Sequence, residues 1–316
     1  MMSSRTYDAT GVGIPLVAFL TLLATGALYW PIALNLDVSY YASVGKIISQ
    51  GQVLYHDYLE GNPPGPVLVA QLSHALSGAL RTPFDQTHKY VLFALQSSLY
   101  LMTLAVLWPR LRRAGASGLV FTAGLGLVAV MLTPAIGRRD YIGPLLMLPW
   151  AVSILMACTG TRPARVLALP VGAAAGLAML FKPHFAALAL AIGIVDLVRA
   201  RGRAGQLLAE SWIALVSCLV SYAWFALAYP VYFTEIIPFA LETFGRMSPG
   251  PAEALRRLGS AEWVSGGFIL MVAGAVLVRR ADRGNRWLGP VVLMTVLAGG
   301  AALSVRRVTG EPNKFM

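Results

Sequence analysis

From Ala9 to Leu36 the chain carries no charged residue. That stretch exceeds the ~20 mostly apolar residues a helix needs to cross a bilayer. In apolar surroundings a lone segment can satisfy its backbone polar groups only by becoming a helix. A first span is expected near 12–34. Its leading region is not strongly basic and aromatic residues gather at its far end, so it reads as an uncleaved anchor rather than a signal peptide. Apolar segments recur at 90–109, 117–136, 142–158, 166–181, 184–198, 208–230, 264–278 and 287–304. The expected fold class is all-α: a polytopic membrane protein of about nine transmembrane helices, with interfacial helices in the first outer loop.

Composition excludes most other classes. Of the 316 residues 57% are hydrophobic and only 12% charged, about half the charged share of a soluble domain. A disordered chain, a collagen-like fibre and a small disulfide scaffold are excluded. A soluble enzyme fits poorly, because a water-facing fold of this size cannot hide so much apolar surface. Cys158 and Cys218 both lie in apolar runs with no metal or redox spacing, which suits small core residues.

The net charge of +11 would suit nucleic acid in a soluble chain, but its placement indicates topology. Arg110, Arg112 and Arg113, then Arg162 and Arg165, then Arg199, Arg201 and Arg203, then Arg279, Arg280, Arg283 and Arg286 form dense clusters in short loops. They share one side only if 166–198 is two short helices turning at Phe181-Lys182-Pro183-His184. The positive-inside pattern therefore favours the pair and a cytoplasmic N-terminus. Asp37, Asp57, Glu60, Asp85, Asp140, Glu235, Glu242, Glu253, Glu262 and Glu311 then fall outside. The expected location is the inner (plasma) membrane, multi-pass, with any active site on the periplasmic or extracellular face. Membrane lipids are expected partners and nucleic acid is not.

Two outer segments are long, 35–89 and 231–263. In the first, residues 40–50 put Tyr40, Tyr41, Val44, Ile47 and Ile48 on one helical face, which suits a helix lying in the interface, and Gly51 ends it. A second helix over roughly 67–80 comes after Pro63-Pro64-Gly65-Pro66. Its ~14 residues reach only ~21 Å, short of the ~30 Å core, so it is expected to lie flat or dip in at a slant, with a short true span as the alternative.

Polar residues collect where spans meet the outer face: Asp37; His56, Asp57 and Glu60; Arg138, Arg139 and Asp140; Lys182 and His184. Each has an ordinary explanation. Asp37 can be a solvated residue after a helix. Arg138 and Arg139 can hold lipid headgroups or Asp140. Lys182 can snorkel, and His184 can be a satisfied core histidine. His56 and Asp57 alone do not define metal coordination. The stretch Gly172-Ala173-Ala174-Ala175-Gly176 suits close helix packing better than chemistry.

Three stretches together resemble the membrane glycosyltransferases of the GT-C superfamily. The branches are those of the protein O-mannosyltransferases, the lipid A aminoarabinose transferases and bacterial lipopolysaccharide-sugar transferases. The first stretch is Asn35-Leu36-Asp37-Val38-Ser39-Tyr40-Tyr41, continuing through Gly51-Gln52-Val53-Leu54-Tyr55-His56-Asp57 to Asn62-Pro63-Pro64-Gly65. The second is Gly137-Arg138-Arg139-Asp140-Tyr141, and the third is Phe181-Lys182-Pro183-His184-Phe185. Order and spacing are similar over roughly residues 12–200. Many relatives carry two adjacent acidic residues after the first span, whereas Val38 comes after Asp37. Either one carboxylate suffices, or Asp57 or Glu60 assists.

The resemblance implies sugar transfer from a polyprenyl-phosphate donor to a glycan, lipid or protein hydroxyl. Asp37 and Asp140 are then the expected catalytic residues, Asp37 as base. Arg138, Arg139, Lys182, His184, Tyr41, His56, Asp57 and Glu60 are expected to bind substrate, the cations facing the lipid phosphate. No cofactor is expected; a divalent metal is the minor alternative, because no dedicated cage is visible. The expected domains are a catalytic membrane core over 1–230 and, over 231–316, an outer loop with two further spans. Relatives are commonly longer, which leaves a short variant, a truncated product and a fragment as readings of the end of the chain. The competing class is a multispan transporter or lipid flippase, which would place polar groups or broken helices near the midplane.

Overall fold

A computed structural model describes residues 9–247, apart from Leu59, Thr159 and His184. The expected spans 264–278 and 287–304 lie outside the described residues. Within them the chain is helical, with no strand: α1 (Ala9–Tyr29), α2 (Leu36–Ser49), α3 (Gly65–Leu80), α4 (Phe84–Ala114), α5 (Ala116–Met131), α6 (Arg139–Cys158), α7 (Ala168–Leu177), α8 (Phe185–Arg199), α9 (Ala209–Ala228) and α10 (Ile237–Met247). By length and composition α1, α4, α6 and α9 can cross a membrane; α5 is apolar but shorter.

The helices other than α2, α3 and α10 alternate in direction. Lys89, near the start of α4, donates to the Trp30 and Ile32 carbonyls just past α1, at 3.1 and 2.7 Å. A lysine there answers the negative end of the α1 dipole. Gly137, before α6, abuts Leu92 of α4 and Val38 of α2. Phe185, opening α8, packs on Gly143 of α6. α7 and α9 run parallel: a Cβ on Gly172 would meet the Glu210 carbonyl at 2.6 Å, and one on Gly176 the Ala214 carbonyl at 2.6 Å. Two glycines one turn apart thus let two backbones touch.

Several boundaries differ from expectation. α1 stops at Tyr29, because the chain turns at Trp30-Pro31 and proline has no N–H to continue a helix. α2 starts at Leu36, not near 40, since Asn35 caps it by accepting from the Asp37 N–H. Its buried stripe is Val38, Tyr41, Ala42, Val44 and Gly45; Tyr40 is exposed. α4 runs from 84 to 114, so Arg110, Arg112 and Arg113 are helical. Cations suit a helix C-terminus. The stretch 166–198 is two helices, with a 3-10 turn at Ala178–Leu180 before the reversal.

Two apolar clusters hold the helices in register. The larger core runs through α4, α6, α7 and α8 and includes Leu92, Leu146, Trp150, Val171 and Phe181. The second joins Tyr41, Val44, Leu54, Tyr55, Val67, Leu180, Phe225, Tyr232 and Ile236. It extends past residue 230 to include Tyr232 and Ile236. At the opposite end of the helices, Asp196 is fully buried and satisfied. It accepts from Arg199 at 2.7 Å, the Leu208 N–H at 3.0 Å and Ser211 at 2.6 Å.

Candidate functional site

Four chain segments bring charged side chains together at the end of the bundle marked by Tyr29. α2 supplies Asp37 in its first turn, where the helix dipole favours an anion, and Tyr41 one turn later. Because i and i+4 share a face, the two point the same way. The Gly137 turn (φ +88°) lays the start of α6 against Val38. That close approach delivers Arg139 and Asp140. A Cβ on Gly65 would meet the Leu180 carbonyl at 2.5 Å, so α3 abuts the end of the α7 turn. From there Lys182 reaches across to α6. The loop 51–62 supplies Glu60 and Asn62.

The contacts form two linked pairs. Arg139 Nη2 lies 3.7 Å from Asp37 Oδ1, and Arg139 Nη1 donates to the Tyr41 hydroxyl. The Arg139 guanidinium also lies 5.4 Å from the Tyr41 ring centroid, within cation–π range. Lys182 pairs with Asp140. All four of these charged side chains are largely buried, between 12% and 23% exposed. The Tyr41 phenol donates to Glu60 at 3.4 Å and accepts from Asn62 Nδ2 at 3.3 Å. Burial, with Glu60 second, pushes its pKa far above the usual phenol range, so it remains protonated. The Nε atoms of Arg138 and Arg139 are buried without a partner among the described residues. Unsatisfied donors of this kind need an acceptor.

Below the pairs lies a small gap of about 220 Å³ including its open mouth, lined by Val38, Tyr41, Pro66, Val69, His88, Leu92, Gly137, Ile142 and Phe181. His88 is held there by Ser73 at 2.9 Å.

The expected site residues thus divide. Asp37, Tyr41, Glu60, Arg138, Arg139, Asp140 and Lys182 meet at this end. His56 and Asp57 turn away: they bind each other at 2.7 Å on the exposed surface, and Asp57 accepts from the Val53 N–H at 2.8 Å. Those two hydrogen bonds, His56 first, hold the Asp57 carboxyl below its usual range. The Tyr58 carbonyl accepts at 2.9 Å from the N–H of Tyr55, which precedes the pair in a left-handed conformation (φ 70°). The Tyr55 ring is buried against Phe225, Tyr229 and Tyr232, and its hydroxyl donates to the Asn62 carbonyl at 2.6 Å. His184 lies outside the described residues. Asn62 and Tyr55 are additions that sequence reasoning does not supply. The one local signal for Asn62 is its position two residues after Glu60, a spacing at which side chain and backbone can share an acceptor. Among the described residues no three of His, Cys, Asp and Glu gather as metal ligands would.

No protein-family model, curated protein or solved structure matches this chain.

Proposed function

We propose that the chain is an integral-membrane glycosyltransferase. It moves a sugar from a polyprenyl-phosphate donor to a hydroxyl acceptor at the outer membrane face, as expected from its resemblance to the GT-C superfamily. One observation carries the reading. Two carboxylate–cation pairs, Asp37–Arg139 and Asp140–Lys182, converge from separate segments at one end of apolar helices. Asp37 is the base that takes the acceptor proton as the hydroxyl attacks. The leaving lipid phosphate is met by Lys182 and by Arg138 and Arg139; the two arginine Nε donors are buried without partners among the described residues. Asp140 holds Lys182 toward that phosphate. The apolar flanks of the helices take the prenyl chain.

The test is mass spectrometry of lipid-linked sugars and envelope glycans, with the gene intact, deleted, or carrying Asp37→Asn. Accumulation of one polyprenyl-phosphate sugar in both the deletion and the variant, with the variant normally inserted, is the expected result. Near-normal transfer by Asp37→Asn removes Asp37 as base.

A second reading, a transporter or lipid flippase, draws on a different observation. Thr25, Gln96 and Ser153 carry buried, unpaired side-chain atoms inside apolar helices among the described residues. All three are neutral, and such residues commonly join membrane helices. Movement of intact lipid-linked sugar across proteoliposomes without cleavage would favour this reading.

A further inference from the structure

At the end of the helices opposite the paired charges, the basic side chains face no acidic surface. Among the described residues this end holds two carboxylates, Asp196 and Glu210, and both are buried. Asp196 is met by Arg199, which also donates to the Gln206 carbonyl at 2.6 Å. Arg112, Arg113, Arg162, Arg165, Arg201 and Arg203 are exposed there. Exposed cations beside an apolar surface attract anionic lipid.

The fold sorts these six into two places. Arg112 and Arg113 end α4, where the Arg112 guanidinium lies 6.0 Å from the Trp108 ring centroid. Arg162 and Arg165 precede α7, and Arg201 and Arg203 precede α9. The glycine contacts hold α7 and α9 parallel, so the segments leading into them, 160–167 and 200–208, end side by side. α6 joins them: its Trp150 donates to Ser211 at 3.0 Å, and its last turn runs on toward residue 160. None of these four arginines has a salt bridge among the described residues. Apolar side chains stand exposed next to them in sequence, Val166 at 79%, Leu169 at 67% and Trp212 at 45%. A tryptophan in the first turn of a spanning helix suits the level between headgroups and acyl chains. The combination fits an amphiphile with an anionic head. Guanidiniums grip phosphate oxygens two at a time, and the apolar side chains take the acyl chains.

We propose that this edge, Arg162, Arg165, Arg201 and Arg203 with Val166, Leu169 and Trp212, is a docking site for an anionic phospholipid. It lies at the opposite end from the proposed sugar-transfer site and does not depend on that reading.

The experiment uses purified full-length protein in detergent, offered equimolar phosphatidylglycerol and phosphatidylcholine with the same acyl chains. Native mass spectrometry counts the lipid that stays bound. Wild-type protein is expected to hold phosphatidylglycerol over phosphatidylcholine about fivefold, and Arg162→Gln/Arg165→Gln to cut that preference to about twofold or less. Arg201→Gln/Arg203→Gln, in the other loop, is expected to do the same and serves if the first variant fails to fold. Arg112→Gln/Arg113→Gln removes as many charges from the same end and is expected to keep the preference within about 1.5-fold of wild type. Free glycerophosphoglycerol, the headgroup without chains, is expected not to displace the lipid at equal concentration. Wild-type protein without the preference overturns the proposal, and so does a preference kept by either folded loop variant. Equal loss from all three double variants overturns it too, since the attraction would then be to net charge and not to a site. Displacement by the free headgroup overturns it as well, because the apolar side chains would then contribute nothing.

Discussion

Tyr41 is where three chain segments meet, and its neighbour Tyr40 shows how finely that depends on helical phase. Sequence patterning assigns both to one apolar face, yet only Tyr41 is buried. α2 begins at an asparagine cap, and this shifts which residues face inward. The charged set is legible as a set because charges are so scarce in this chain. Its pairings are not, since Tyr41 and Arg139 are 98 positions apart and nothing local encodes their meeting. Proximity in sequence groups His56 and Asp57 with Glu60, but the fold leaves the first two on the surface and buries Glu60. At this scale Lys182→Met is expected to lower sugar transfer about a hundredfold, while Lys182→Arg keeps part of it, because the role is charge facing a phosphate. Release of the lipid phosphate from membranes of each variant checks this. Equal loss in both would mean that side-chain shape rather than charge matters.

At the scale of elements, the apolar segments are the most readable, because a bilayer-spanning helix is set mainly by length and composition. Their ends are less so, being set by Asn35, Pro31 and the helix-terminal arginines rather than by hydropathy. The glycines of α7 act through backbone contact, so their substitution should be costly only where helices touch. Gly176→Ala places a methyl carbon against the α9 backbone and is expected to cost about 2 kcal/mol. Gly124→Ala on α5, where a Cβ meets nothing within 4 Å, is expected to be neutral or slightly stabilising. Thermal unfolding in detergent compares the two; equal midpoints would show that α7 and α9 do not pack through these glycines.

At the scale of the molecule, alternating helices put His56 and Arg201 at opposite ends. The proposed orientation makes the His56 end external. In a background lacking Cys158 and Cys218, His56→Cys should react with a membrane-impermeant thiol reagent in intact cells, and Arg201→Cys only after lysis. The reverse pattern would invert the topology and move the site to the cytoplasmic side.

Asp196 has a consequence for how such a chain is made. Its carboxylate sits on α8, but two of its donors, the Leu208 N–H and Ser211, belong to the start of α9. While α8 alone has emerged from the ribosome, only Arg199, one turn along, can offset that charge. An acidic group in an apolar helix raises the cost of leaving the translocation channel by up to about 3 kcal/mol at mid-bilayer and less near an end. α8 should therefore wait for α9, and the two should enter the lipid as a hairpin. A chain stalled with α8 but not α9 outside the ribosome is expected to hold α8 in the channel, one with both outside to release it into lipid, and Asp196→Leu to release α8 from the shorter chain as well. Crosslinking from α8 to the channel or to lipid in the stalled chains separates these cases; early lipid contact of α8 in the unaltered shorter chain would show that Arg199 suffices on its own.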